Sequence, residues 1–279
     1  MAGRKRRKKR RGRRRGGPAW TTTVLPFALL GLALVGGFIA FQLLHKSGKE
    51  EAVCALVIDR TSSVSGSSTV NSYRELADRT INGCSQQNAG LYIYAFDQAG
   101  SKVQLITGKP FDLWGVGNKS SIRNASRAEQ IGRAQKAVSV ALASRADAAR
   151  GSDIVTAVKT ASENLNNDAL SLGVKQKYLV VLTDGIQSSD DISLAGLNSG
   201  SASVTPIVNR VRELGLLPSL DGTKVSFAGV QSGVNTKTGE QLPQLFEAKV
   251  KDFWTTLVHE GNGHLCTYVA DSAALPRNC

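Results

Sequence analysis

Short apolar runs of strand length recur along the chain, separated by segments with helical periodicity. Six such runs lie at residues 53–58, 91–96, 102–107, 177–182, 224–230 and 264–270. Most of them are continuously apolar, which is typical of strands covered by helices on both faces. The third run instead alternates polar and apolar residues and follows the second after a short turn, so it is predicted to be an antiparallel hairpin partner.

Amphipathic segments fill the intervals between these runs. Helices are predicted at residues 70–82, 126–150, 151–165, 203–217 and 242–260. Ser126 and Glu129 form a capping-box pattern at the start of the second helix, and Pro206 falls near the first turn of the fourth. Because strands and helices alternate, we predict an α/β fold. Its doubly wound, mostly parallel six-stranded sheet has one antiparallel edge strand and helices on both faces.

A long uncharged stretch precedes the first strand. Residues 24–44 are 21 residues without a charged side chain, which as a helix would span about 31 Å, the thickness of a bilayer core. Trp20 and the pair His45-Lys46 stand at its two ends, where interfacial anchors belong. No small-x-small cleavage site follows the run, so we predict a retained transmembrane helix over residues 20–45.

The formal net charge of +13 is concentrated in front of that stretch. Residues 4–15 hold 11 of the 35 basic residues, which leaves 24 basic against 22 acidic residues elsewhere. The nearly neutral remainder does not favour nucleic acid as a partner, although a DNA-binding or localisation arm would have the same composition as the tail. We interpret the tail as a topology signal that is attracted to anionic lipid.

This charge distribution predicts a single-pass protein of the cell membrane. Residues 1–19 would form a basic cytoplasmic tail, because positive charge is retained on the cytoplasmic side. After the transmembrane helix, a linker at 46–52 would lead into one extracytoplasmic domain at 53–279.

The four cysteines fit an exported domain with disulfides, although four allow three pairings. Cys54 begins the first strand and Cys84 lies just before the second, so both are expected at the same end of neighbouring strands. We therefore predict the bridge Cys54–Cys84 and, for the C-terminal tail, the bridge Cys266–Cys279. None of the four stands in a CxxC pair, which argues against zinc.

Two of the predicted strands end on an aspartate. Asp59 follows the run ALVI, and Asp184 follows LVVLT. Side chains just past the carboxyl ends of central strands meet at the topological switch point of a doubly wound sheet. Hydroxyl residues follow Asp59 directly, and Ser152 stands at a loop-to-helix junction between the two strands. Carboxylate and hydroxyl oxygens suit Mg²⁺, Mn²⁺ or Ca²⁺.

At these residues the chain resembles the von Willebrand factor type A domain family. Asp59-Arg60-Thr61-Ser62-Ser63 is similar to the family motif Asp-x-Ser-x-Ser, Ser152 stands where the family usually has a threonine, and Asp184 matches its second aspartate. The resemblance covers roughly residues 50–275 and implies a metal-ion-dependent adhesion site.

The ligand set that this resemblance implies is Asp59, Thr61, Ser63, Ser152 and Asp184, acting directly or through water. The implied ion is a divalent cation, Mg²⁺ first, with Mn²⁺ or Ca²⁺ as alternatives. One coordination position would be left for an acidic side chain of a protein ligand. Thr61 for serine and Ser152 for threonine are departures from the family pattern that keep the hydroxyl groups but put the metal affinity in question.

Two other hypotheses remain at this point. The Asp59 motif also resembles the Asp-Lys-Thr-Gly-Thr motif of haloacid-dehalogenase-like phosphotransferases, which would make Asp59 the nucleophile of a Mg²⁺-dependent phosphatase. Alternatively, Asp59, Asp184 and the hydroxyls only cap helices and turns, in a scaffold that binds without metal. Our primary expectation is a binding or adhesion module that is not an enzyme.

Overall fold

Seven β-strands form one sheet in the computed structural model, which describes residues 50–61, 67–96, 103–143, 151–198, 202–230 and 243–269. The strands are β1 Ala52–Asp59, β2 Ala89–Phe96, β3 Gln104–Leu105, β4 Phe111–Asp112, β5 Gln176–Leu182, β6 Lys224–Ala228 and β7 His264–Val269. Five α-helices alternate with them: α1 Ser67–Gln86, α2 Ser120–Ala143, α3 Ile154–Leu172, α4 Thr205–Glu213 and α5 Gln244–Glu260.

The sheet is doubly wound, as the alternation of elements predicts. Its order is β3-β2-β1-β5-β6-β7, and the five long strands pair in parallel. From β1 the chain first proceeds to β2 on one side and later returns to β5 on the other side. The topological switch point therefore lies between β1 and β5, at the carboxyl ends that Asp59 and Leu182 mark.

The prediction of six strands with a single antiparallel member is wrong by one strand. Phe111–Asp112 forms a second antiparallel pairing with β2, in register with Leu91 and Gly90. A strand of two residues is too short to produce a periodic pattern.

The predicted start of the second helix is also wrong, since α2 begins at Ser120 and not at Ser126. The side chain of Ser126 does not cap the helix. Its Oγ accepts the backbone N–H of Val116 in the preceding loop at 3.3 Å.

Both faces of β1 are buried, which explains why its sequence is apolar without alternation. Val53, Ala55 and Val57 belong to the core that α3 and α5 cover. Leu56 and Ile58 belong to a second core, beneath α1 and α2. The central strand is thus fixed from both sides up to Asp59.

The predicted disulfide between Cys54 and Cys84 is confirmed, with Cα atoms 6.3 Å apart. Cys54 stands five residues before Asp59 on β1, so the bridge lies about 16 Å from the carboxyl end of the strand. Cys266 is also disulfide-bonded, and its predicted partner, Cys279, lies outside the described residues.

Within the described part of the chain, no helix is both long enough and apolar enough to cross a membrane. The predicted tail at 1–19 and the predicted transmembrane helix at 20–45 lie outside that part.

Candidate metal centre

Asp59 ends the central strand at the switch point and is fully buried. Its Oδ1 accepts both the backbone N–H of Thr61, at 2.9 Å, and the Thr61 hydroxyl, at 2.6 Å. The chain therefore turns around the carboxylate directly after β1, and the turn holds Thr61 beside Asp59.

Ser152 reaches the same place from the loop before α3. Its Oγ lies 3.0 Å from Thr61 Oγ1 and 3.4 Å from Asp59 Oδ2. Gly151 precedes it with φ of 92°, in the left-handed region that favours glycine. Asp153 then caps α3 by accepting the N–H of Thr156. The turn and the cap together direct the Ser152 hydroxyl toward Asp59.

Thr183 completes the hydroxyl cluster and was not among the predicted site residues. Its Oγ1 donates to Asp59 Oδ2 at 2.8 Å, and its side chain is fully buried. The available signal was its place beside Asp184 at the end of β5. Both residues follow β5 directly and act on Asp59, Thr183 through a hydrogen bond and Asp184 through its charge.

Asp184 follows β5 and is nearly buried. Its Oδ1 accepts the N–H of Ile186 at 2.9 Å. Burial, and after it the negative charge of Asp184, raise the pKa of Asp59 from 3.8 to about 7. Hydrogen bonds from Thr61 and Thr183 oppose the shift without cancelling it. The fold thus holds the carboxyl groups of Asp59 and Asp184 near each other, and this arrangement disfavours the ionised form of Asp59.

The loop after Asp184 is tied to the loop that carries Ser152. Gln187 is fully buried; its Oε1 accepts the N–H of Val155 at 3.0 Å, and its Nε2 donates to Asp153 Oδ1 at 3.3 Å. Ser188 Oγ accepts the N–H of Ser152 at 3.0 Å. These bonds fix the spacing between the loop that carries Ser152 and the loop after Asp184. The polar composition of residues 186–202 did not reveal this role.

The structure thus brings together three of the five predicted ligands, Asp59, Thr61 and Ser152. Asp184 acts on Asp59 through its charge. Ser63 lies outside the described residues. No group of three or more histidine, cysteine, aspartate or glutamate side chains is placed to hold a metal ion anywhere in the described ranges. A cation at this place would therefore depend on hydroxyl oxygens as well as on the two carboxylates.

The chemistry of this donor set fits a hard divalent cation. Carboxylate and hydroxyl oxygens are the ligands that Mg²⁺ and Mn²⁺ accept, and Mg²⁺ usually keeps several water molecules beside one or two carboxylates. The hydroxyls of Thr61 and Ser152 can rotate about their C–O bonds. Each could then turn its proton away and direct a lone pair at an ion. A cation would also remove the repulsion between Asp59 and Asp184.

No family model and no curated protein matches the chain. The pilus adhesin SpaC from Lactobacillus rhamnosus GG, in its open conformation, is similar at 15% identity and a TM-score of 0.43, over 76% of this chain and 27% of that one. Manganese-loaded Plasmodium vivax TRAP protein is similar at 13% identity and a TM-score of 0.38, over 76% of this chain and 64% of that one. The PilB minor pilin from Streptococcus sanguinis is similar at 13% identity and a TM-score of 0.44, over 81% of this chain and 59% of that one.

The chain thus spans less than two thirds of the length of each of these proteins. Likeness of this degree carries no conclusion about function.

Proposed function

We propose that this protein is a non-enzymatic binding module that holds a divalent cation at the switch point and presents it to an acidic group of a protein partner. One observation carries the proposal: the hydroxyls of Thr61 and Ser152, from loops 91 residues apart, meet within 3.4 Å of the buried Asp59 carboxylate. The proposed ligands are Asp59, Thr61, Ser63, Ser152 and Asp184, and the proposed ion is Mg²⁺, or Mn²⁺ or Ca²⁺ in its place.

The charge balance of the site supports this function. A divalent ion that faces two carboxylates and neutral hydroxyls keeps coordination positions for water, because the protein supplies few anionic ligands. A carboxylate of a partner can replace one of those waters. The protein residues orient the ion and exclude bulk water from Asp59, and no bond is broken.

Phosphoryl transfer by Asp59 is the less favoured alternative. A nucleophilic carboxylate must be ionised and must reach the phosphorus atom. Asp59 is fully buried, and both of its oxygens already accept hydrogen bonds, from Thr61 and from Thr183. These properties suit a carboxylate that supports an ion better than one that attacks a substrate.

The proposal extends to the location of the site. An uncharged stretch at 24–44 after a basic tail at 4–15 supports a cytoplasmic tail and a transmembrane helix. The domain and its cation would then face the outside of the cell membrane. A membrane-impermeant protease added to intact cells should digest the domain and leave the tail, and protection of the domain would contradict this orientation.

Water-proton relaxation tests the open coordination position. The full chain in detergent micelles is loaded with Mn²⁺ below stoichiometry, and sodium acetate is added as the carboxylate probe. Because acetate would replace an Mn²⁺-bound water, the relaxation enhancement of the protein complex should fall as acetate is added. The same acetate concentrations should leave the water-proton relaxation rate of free Mn²⁺ unchanged.

The Asp59→Ala variant is the control, and it should show no protein-dependent enhancement at all. Enhancement in the wild type that acetate leaves unchanged would mean that the ion is closed to a partner. The adhesion mechanism would then be wrong, even though a metal is bound.

A further inference from the structure

Tyr73 lies on α1 and points its ring at the same end of the sheet as the candidate metal centre. It is 1% exposed and belongs to the core that contains Leu182 and Ala228, the last residues of β5 and β6. The ring packs against Gly229, where φ is 79° and where a Cβ would overlap Cε1 of Tyr73. The ring therefore occupies space that is open because Gly229, the residue directly after β6, has no side chain.

The hydroxyl of Tyr73 has no hydrogen-bond partner among the described residues. A buried polar group without a hydrogen-bond partner is destabilising and rare, and an ion or a water molecule that completes the site would explain it. Burial raises the pKa of Tyr73, and the charges of Asp59 and then Asp184 raise it further, so the phenol is neutral and lies within the field of both carboxylates.

These observations identify an unused hydrogen-bonding group aimed at the site. A neutral phenol oxygen is a poor ligand beside two carboxylates, but it can accept a hydrogen bond. A water molecule on a divalent cation gives a lone pair to the ion and has two protons to donate. The Tyr73 hydroxyl and the site carboxylates are suitable acceptors for those protons.

We propose that Tyr73 is a positioning residue of the metal centre, whose hydroxyl accepts a hydrogen bond from a water molecule that the cation holds. This inference rests on the proposed function, because it requires the cation. It adds a residue outside the predicted ligand set, one that orients the ion's water shell and leaves the direct ligands unchanged. Outer partners of this kind commonly change metal affinity by about tenfold or more.

The chain offers a matched control in Tyr94. This tyrosine is also 1% exposed, but it lies in the core on the opposite face of the sheet. Burial and the charge of Asp168 raise the pKa of Tyr94 to about 12, and neither Asp59 nor Asp184 is among the causes. Tyr94→Phe therefore removes the same atom from an equally buried place away from the site.

The experiment is an isothermal Mg²⁺ titration of the full chain in micelles, comparing wild type, Tyr73→Phe and Tyr94→Phe. We expect the dissociation constant to rise about tenfold in Tyr73→Phe and to stay unchanged in Tyr94→Phe. The melting temperature of Tyr73→Phe in EDTA should be equal to or above that of wild type, since an unsatisfied hydroxyl has been removed.

A second measurement uses the wild-type protein alone. Ultraviolet resonance Raman spectra report the hydrogen bonding of tyrosine, and the chain has only 5 tyrosines. Addition of Mg²⁺ should convert one tyrosine hydroxyl from unbonded to hydrogen-bonded. This readout does not depend on whether a variant folds.

Equal Mg²⁺ affinity in wild type and Tyr73→Phe, with no change in the tyrosine spectrum, would overturn the inference and leave the proposed function standing. Failure of the wild type to bind any divalent ion would overturn both. A lower affinity of the same size in Tyr94→Phe would also overturn it, because the effect would then come from loss of a buried hydroxyl in general.

Discussion

The hydroxyl oxygens of Thr61 and Ser152 lie 3.0 Å apart, although 91 residues separate the two positions. Thr61 belongs to the turn after β1, and Ser152 belongs to the loop that opens α3. Both hydroxyls are within hydrogen-bonding range of the same buried carboxylate, Asp59. The doubly wound topology brings these loops together, and the residue types on them make the place suitable for a hard cation.

Removal of the Ser152 hydroxyl should weaken metal binding with little effect on folding. Ser152→Ala deletes one proposed oxygen ligand, and we expect about a tenfold loss of Mg²⁺ affinity with an almost unchanged melting temperature in EDTA. Ser162→Ala is the control, because Ser162 is also buried but its hydroxyl donates to Lys159 O within α3. Equal metal affinity in the two variants would exclude Ser152 as a ligand.

Gln187 should matter more for stability than for the direct contacts of the ion. Gln187→Leu deprives the N–H of Val155 of its acceptor and removes the bond from Nε2 to Asp153 Oδ1, which loosens the tie between the two loops. We expect a loss of about 2–4 kcal/mol in the free energy of unfolding, measured by urea denaturation. Gln244→Leu, at an exposed position of α5, should change it by less than about 0.5 kcal/mol. Similar losses in the two variants would show that the buried amide does not hold the loops.

The stability of the metal-free protein should fall as the pH rises from about 4 to about 7. The folded pKa of Asp59 is raised from 3.8 to about 7, so between these values the folded state binds more protons than the unfolded state. The stabilising contribution is therefore complete at low pH and is lost as the carboxyl ionises, by on the order of 4 kcal/mol at most.

Asp59→Asn should remove much of that pH dependence and stabilise the metal-free protein above pH 7. The amide oxygen of the new side chain can still accept from Thr61, and the hydroxyl of Thr183 can rotate to accept from its amide NH₂. Urea denaturation in EDTA at several pH values measures the effect. Asp252→Asn, an exposed neutralisation on α5, should keep the wild-type slope. An unchanged slope in Asp59→Asn would show that another group is responsible.

A side chain at Gly229 should disturb the site through Tyr73. Gly229→Ala combines a positive φ with an overlap against the tyrosine ring. Gly173 also has a positive φ, at the end of α3, but a Cβ there meets nothing within 4 Å. We expect Gly173→Ala to cost about 1 kcal/mol and Gly229→Ala to cost clearly more, about 2–4 kcal/mol by urea denaturation. Equal costs would mean that the ring is not held by this contact.

The sequence predicted the strands and helices whose apolar patterns extend over many residues, and the site residues that directly follow the central strands. The apolar run before Asp59 requires a strand covered on both faces, and the disulfide followed from the placement of Cys54 and Cys84 at the same end of neighbouring strands. The meeting of Asp59 with Ser152 followed from the resemblance and from the order of strands and helices along the chain.

The remaining features depend on contacts that leave no local pattern. Strand β4 has two residues. The side chain of Ser126, which predicted a helix start, instead accepts a hydrogen bond from the backbone N–H of Val116. Gln187 lies in a segment rich in serine and aspartate, whose composition is the same for a solvated loop and for a buried network. Thr183 and Tyr73 join the site only because β5 and α1 pack against β1.

Calorimetric titration of Mg²⁺, and then Mn²⁺ and Ca²⁺, into the full chain in micelles tests the central claim most directly. The comparison is between wild type, Asp59→Ala and the surface control Asp252→Ala. We predict one binding site in wild type and in Asp252→Ala, and its loss in Asp59→Ala. If none of the three ions binds the wild type, or if Asp59→Ala binds them equally well, the metal centre proposed for Asp59, Ser152 and Asp184 is contradicted.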